Sequence, residues 1–310
     1  MKLGMKEHSI EFKRTIEKCS FFRNSQTWPV TTKIDYNGWL GNFKEEEKEI
    51  AAVILDYFVF FTDSMIDELV NAAVCQACYE IKKRISEWSY DKLYTDCWYS
   101  YMPGTYRASE SGHIFPRKLN KHLDIPTEKI IDHHDLRTKV SSATKPMVII
   151  MVDDFVGSGE QCVDLWNRHR VGSAGSYPPT FGEICNAKGH TVVYAPLVAN
   201  LQGYNRIVQQ CDSLSITPVH LLGTEYNLFN SKCACWHGDY SLFQKGIALL
   251  NRKSEELGIS TDFHDEVSVR GYWGQGLALA FYDSVPDAIP AIFYWDKNNW
   301  KPLVHRKINI

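Results

Sequence analysis

Two adjacent carboxylates, Asp153 and Asp154, stand between an apolar run and a glycine turn in the stretch MVIIMVDDFVGSGEQ, residues 147–161. Carboxylates accept hydrogen bonds from sugar hydroxyls or hold a hydrated cation. Gly157, Ser158 and Gly159 let backbone N–H groups approach an anion, and a helix-like pattern starting near Glu160 adds the positive end of its dipole. Ser158 and Gln161 bring side-chain donors to the same turn. Acids for hydroxyls and a turn for an anion make a sugar-phosphate site. The apolar residues 147–152 have the length of a buried strand and not of a membrane span, so the acids are expected where that strand ends.

Commoner nucleotide sites fit this stretch less well. A strand ending in acids also occurs in P-loop NTPases, but the partner pattern G-x-x-x-x-G-K-[ST] is absent from the chain. A dinucleotide fold needs a third glycine after Gly157 and Gly159, and acids just before the turn would repel a pyrophosphate. An ordinary strand and turn would leave two neighbouring carboxylates bearing desolvation and repulsion with no return.

The elements that must position these groups follow from patterning. Residues 45–88 read as helical, with Glu45, Glu46 and Glu47 suited to a helix N-terminus. Strands are expected over 93–101, 191–198 and 216–222, and helices over 114–123 and 202–211, which alternate as in a parallel α/β sheet. The polar segment 132–145 reads as a mobile loop, and 170–189, rich in Gly, Ser and Pro, as an insertion. Beyond Thr224 the alternation breaks; a helix is expected over 242–257 and a strand over 277–282. The chain thus divides into a mainly helical region 1–91, a core 92–225 and a C-terminal extension 226–310.

Composition narrows the setting. The 310 residues are 44% hydrophobic and 23% charged, those of a globular chain with a sizeable core, and a net charge of −3 leaves no broad basic footprint for nucleic acid. Residues 50–61, the longest apolar candidate for a span, contain Asp56 and are too short, so no membrane association is expected. The nine cysteines and an opening stretch without an apolar h-region point to reduced thiols and a cytoplasmic location.

The central stretch resembles the ribose-phosphate motif of type I phosphoribosyltransferases: four apolar residues, an acid pair, two apolar residues and a small loop rich in Thr, Ser and Gly. The resemblance spans roughly 92–225 and implies a central, mostly parallel sheet flanked by helices, with an N-terminal helical layer and a C-terminal α+β extension. It further implies that Asp153 and Asp154 hold the ribose 2- and 3-hydroxyls of phosphoribosyl pyrophosphate, while Gly157, Ser158, Gly159, Glu160 and Gln161 wrap its 5-phosphate. A pyrophosphate loop is implied at Ser109, Glu110, Ser111 and Gly112, with Arg107 or Arg117 neutralising charge, and Mg2+ arrives on the substrate. The segment 132–145 takes the place of the loop that closes over substrate.

Two positions depart from that pattern: Gly157 stands where purine-salvage members carry a further acid, and Gln161 replaces a threonine. The phrase VDDFVGSGEQ, with Trp166 after it, and the tail GLALAFYDSVPDAIPAIFYW are similar to phosphoribosyltransferase-like effectors of bacterial conflict systems, including retron and other anti-phage loci. That similarity implies an antiviral effector held by a defence-system protein or a reverse transcriptase–nucleic acid complex. A nucleotide-sensing module without turnover, and a nucleotide-depleting glycosidase, remain alternatives to a transferase.

Three further groupings carry chemistry. Cys75 and Cys78 with Cys233, Cys235 and His237 would offer zinc ligands, but free cysteines are commonly buried in apolar surroundings, and no resident metal is assigned. His133 and His134 are adjacent, so their rings are expected to diverge from a surface loop. Tyr272 and Trp273, in a glycine-rich turn, suit packing better than base stacking.

Overall fold

A computed structural model describes residues 9–29, 33–102, 111–169 and 178–306. The chain folds as two compact units, Asp63–Leu222 and a second made of the segments up to Thr62 and from Gly223 onward. Seven strands occur among the described residues: β1 (Val59–Phe61), β2 (Cys97–Tyr101), β3 (Val148–Val156), β4 (Thr191–Asn200), β5 (Ser215–Ile216), β6 (His220–Leu222) and β7 (Leu279–Phe281).

The Asp63–Leu222 unit is α/β. Its sheet runs β2-β3-β4-β5, with β6 also paired to β4, and every pairing is parallel. Parallel neighbours need crossovers, and helices between the paired strands supply them. Alternation along β3 sends Ile149 and Met151 to one face, where they pack with Val192 and Tyr194 of β4. That face is covered by Leu136 and Val140, Cys162 and Trp166, Phe181 and Cys185, and Ile207, from four successive helices. The long helix Asp63–Arg84 lies on β3 and β4 and buries Ile66, Val70, Ala73, Val74, Ala77 and Ile81, spaced as one helical stripe.

Two sequence expectations are corrected here and a third is refined. The segment 132–145 is not a loop: it carries the helix His133–Ser142. Asp132 caps it by accepting from the His134 N–H at 2.9 Å, and Leu136 and Val140, four apart, are buried in the core. Within 170–189, read as an insertion, Phe181–Ala187 is a helix with a full capping box between Thr180 and Glu183, while 170–177 lie outside the described residues. Helical patterning over 45–88 is broken by β1, between the helices Lys48–Tyr57 and Asp63–Arg84.

In the other unit, β1 pairs in parallel with β7, matching Val59 to Leu279 and Phe61 to Phe281. Its core is aromatic. The indole N–H groups of Trp39 and Trp300 both donate to the Ile292 carbonyl, at 3.0 and 3.1 Å. The buried ammonium of Lys253 lies 3.1 Å from Glu47, which also pairs with Arg252 at 2.8 Å.

Candidate functional site

The apolar run does form a strand from Val148, but the acids are inside it. β3 continues to Val156, with Asp153 opposite Pro196, Phe155 opposite Val198 and Val156 opposite Ala199. The reason is the partner: β4 is ten residues long and almost wholly buried, so its backbone keeps accepting β3 past the apolar run.

Strand alternation then gives the two acids different surroundings. Asp153 shares the face of Met151 and Tyr194. Its Oδ2 accepts from the Tyr194 hydroxyl at 2.6 Å, and its Oδ1 accepts from the Asp154 backbone N–H at 3.0 Å. Asp153 keeps some accessible surface, yet protein surrounds it on most sides. Desolvation, reinforced by the Asp154 charge, pushes its carboxyl well above the usual carboxylate range. Asp154 is half-buried, and its side chain hydrogen-bonds that of Asp153, so the two carboxyls are coupled although strand alternation sends them off opposite faces.

That shift has a measurable consequence. A carboxyl raised in the folded state contributes stability fully present below its unfolded pKa and lost as pH rises through the folded one. Asp153→Asn removes this titration while an amide can still accept from the Asp154 N–H and donate to the Tyr194 oxygen. Thermal melts between about pH 4 and about pH 8 are therefore expected to show the variant gaining on wild type as pH rises. A gap that does not change with pH would contradict the assignment.

After Val156 the chain turns through Gly157 and Ser158 to Gly159, whose φ of 78° is left-handed and which caps the helix Glu160–Asn167. The turn rests on the helix Leu201–Gln210 through glycine. A Cβ on Gly203 would lie 2.2 Å from the Gly157 carbonyl oxygen and 2.8 Å from the Gly159 nitrogen, and one on Gly159 would lie 2.7 Å from the Gly203 oxygen. Backbone therefore meets backbone here, and the loop's shape depends on a residue some 40 positions away.

The sequence-predicted residues are placed as follows. Asp153, Asp154, Gly157, Ser158, Gly159, Glu160 and Gln161 form one continuous strand end, loop and helix start. Ser111 and Gly112 open the helix Ser111–Leu123, whereas Arg107, Ser109 and Glu110 lie outside the described residues. Tyr194, Gly203 and Arg206 touch these residues and are not among the sequence-predicted ones. A glycine inside the helical pattern at 203 was the one local signal for any of them.

Near the same end of the sheet, Asp132, His133 and His134 bring ligand atoms within 4.8 Å of one another. The two imidazoles do not diverge as expected; their centroids are 3.8 Å apart, and Tyr101 at the end of β2 donates to Asp132 at 2.6 Å. Desolvation lowers the His133 pKa, with the neighbouring His134 adding to it. Among the described residues the cysteines form no comparable cluster: Cys75 and Cys78 ride on the helix Asp63–Arg84, and Cys233 and Cys235 are buried in the other unit. No described helix is long and apolar enough to cross a membrane.

A model of the PRTase-CE family matches residues 36–306. Among solved structures, that of Leishmania donovani UMP synthase is similar at 13% identity and a TM-score of 0.26, over 57% of this chain and 32% of that one. The chain thus spans about a third of the length of that structure. No curated protein matches.

Proposed function

The chain belongs to the PRTase-CE family, and on that premise we propose that this phosphoribosyltransferase-like protein binds a ribose 5-phosphate compound at the carboxyl end of β3. The compound is phosphoribosyl pyrophosphate or a nucleotide. One observation carries the reading: acid pair, left-handed glycine and helix N-terminus follow one another at the carboxyl end of a parallel sheet, where open α/β sheets take their ligands.

In this reading Asp154 accepts from the ribose hydroxyls, and Asp153, tied to Tyr194, fixes the strand end from which Asp154 projects. The N–H groups that follow Gly157 donate to the 5-phosphate, aided by the helix dipole. Ser109, Ser111, Gly112 and Arg107 are proposed to take the pyrophosphate. Mg2+ would arrive with the substrate, and the Asp154 carboxylate suits a cation that prefers oxygen and keeps its waters; when bound, it would neutralise charge on the departing group. Positioning and charge stabilisation would carry most of the rate enhancement in glycosyl transfer. The proposed setting is cytoplasmic anti-phage defence, as an effector restrained by a defence-system partner.

A second reading, a sensor that binds without turnover, is favoured by Gly157, which offers no carboxylate to activate an acceptor. Calorimetric titration of phosphoribosyl pyrophosphate and magnesium into wild type and Asp154→Asn tests the shared premise. The variant is expected to bind roughly ten- to a hundredfold more weakly, the value of hydrogen bonds to a charged acceptor. Equal, negligible heats in both proteins would sink the ribose-phosphate site. Where binding is seen, product analysis with free bases and with nucleotides separates transferase, glycosidase and sensor.

A further inference from the structure

The loop proposed to receive a phosphate carries a carboxylate of its own. Glu160 is the first residue of the helix Glu160–Asn167; its Oε2 accepts from the Ser158 hydroxyl at 3.3 Å, and its Oε1 lies 3.1 Å from Arg206 Nη1. Arg206 follows Gly203 by three residues on the helix Leu201–Gln210, on the side that the glycine contact presses against the loop. A side-chain hydroxyl and a guanidinium thus converge on one anion at a helix N-terminus, and that anion is internal. The same three groups suit a phosphate.

We propose that Glu160 is a built-in occupant of the phosphate position, and that Arg206 is a phosphate-binding residue which exchanges Glu160 for the incoming ligand. The inference rests on the ribose-phosphate reading and deepens it. With Asp153 and Asp154 close by, an ionised Glu160 left in place would oppose a phosphate dianion. Its side chain is 43% exposed and can swing to solvent, whereas Arg206, 21% exposed, is held at the loop. The exchange keeps the empty loop ordered, and it lets only a ligand with a strong anion displace the carboxylate. Ribose alone offers nothing to Arg206.

Titrations of phosphoribosyl pyrophosphate with magnesium, and separately of inorganic phosphate, into wild type, Glu160→Gln, Arg206→Gln and the double variant test this, with circular dichroism to check folding. Glu160→Gln is expected to tighten both ligands roughly two- to fivefold, since a partly exposed ion pair no longer competes. Arg206→Gln is expected to weaken both about tenfold or more. In the double variant the gain from Glu160→Gln should largely vanish, because both changes act on one contact. Glu160→Gln equal to or weaker than wild type, or Arg206→Gln within about twofold of it, overturns the proposal. Phosphate responding as described while phosphoribosyl pyrophosphate binds no better than phosphate would overturn the ribose reading and leave the exchange standing. No heat from either ligand in any variant overturns both.

Discussion

Gly203→Ala is expected to weaken ligand binding roughly ten- to a hundredfold, because a displaced loop loses a hydrogen bond to a charged ligand, worth about 1.5 to 3 kcal/mol. The new methyl would sit 2.2 Å from the Gly157 oxygen and 2.8 Å from the Gly159 nitrogen, and both are backbone atoms with no rotamer to turn away. Either the loop moves or the helix Leu201–Gln210 does, and Arg206 rides on that helix. The stability change should be smaller, about 1 to 3 kcal/mol of overpacking offset by about 1 kcal/mol from alanine's better helix propensity. Calorimetry together with a urea melt distinguishes the two effects. A variant that binds as wild type does would show that the glycine contact does not shape the loop.

Removing both acids around Lys118 is expected to destabilise the Asp63–Leu222 unit strongly. Lys118 is 1% exposed, and its ammonium lies 2.5 Å from Asp63 and 2.6 Å from Asp67, in the first turns of the helix Asp63–Arg84. The double variant Asp63→Asn, Asp67→Asn leaves a buried cation without a countercharge, which costs about 3 to 5 kcal/mol. Lys118→Met should cost less, about 1 to 2 kcal/mol, because the acid side chains are 47% and 19% exposed and can rehydrate. Urea denaturation followed by circular dichroism gives both values. The opposite ranking would place the desolvation burden on the carboxylates.

Much of the site was legible locally. An apolar run, two acids, a glycine turn and a helix start are contiguous in the chain, and contiguity is enough to define a strand end and the loop after it. The helix His133–Ser142 had a local signal too, Asp132 as its cap, but Leu136 and Val140 alone did not outweigh the polar residues around them. The hydrophobic stripe counted only once there was a core to bury it.

By itself, then, the sequence determined the α/β alternation, the order of acid pair, turn and helix, and the exclusion of P-loop and dinucleotide sites. These depend on propensities and on spacings of a few residues. The tertiary structure decided what depends on partners distant in the chain. β4 carries β3 four residues past Val152; Tyr194 gives Asp153 a hydroxyl partner; Gly203 shapes the loop, and Arg206 gives Glu160 its partner. β1 likewise exists only because β7, far along the chain, pairs with it. Backbone pairing, desolvation and close approach are properties of neighbours in space, and no local pattern encodes which neighbours those will be.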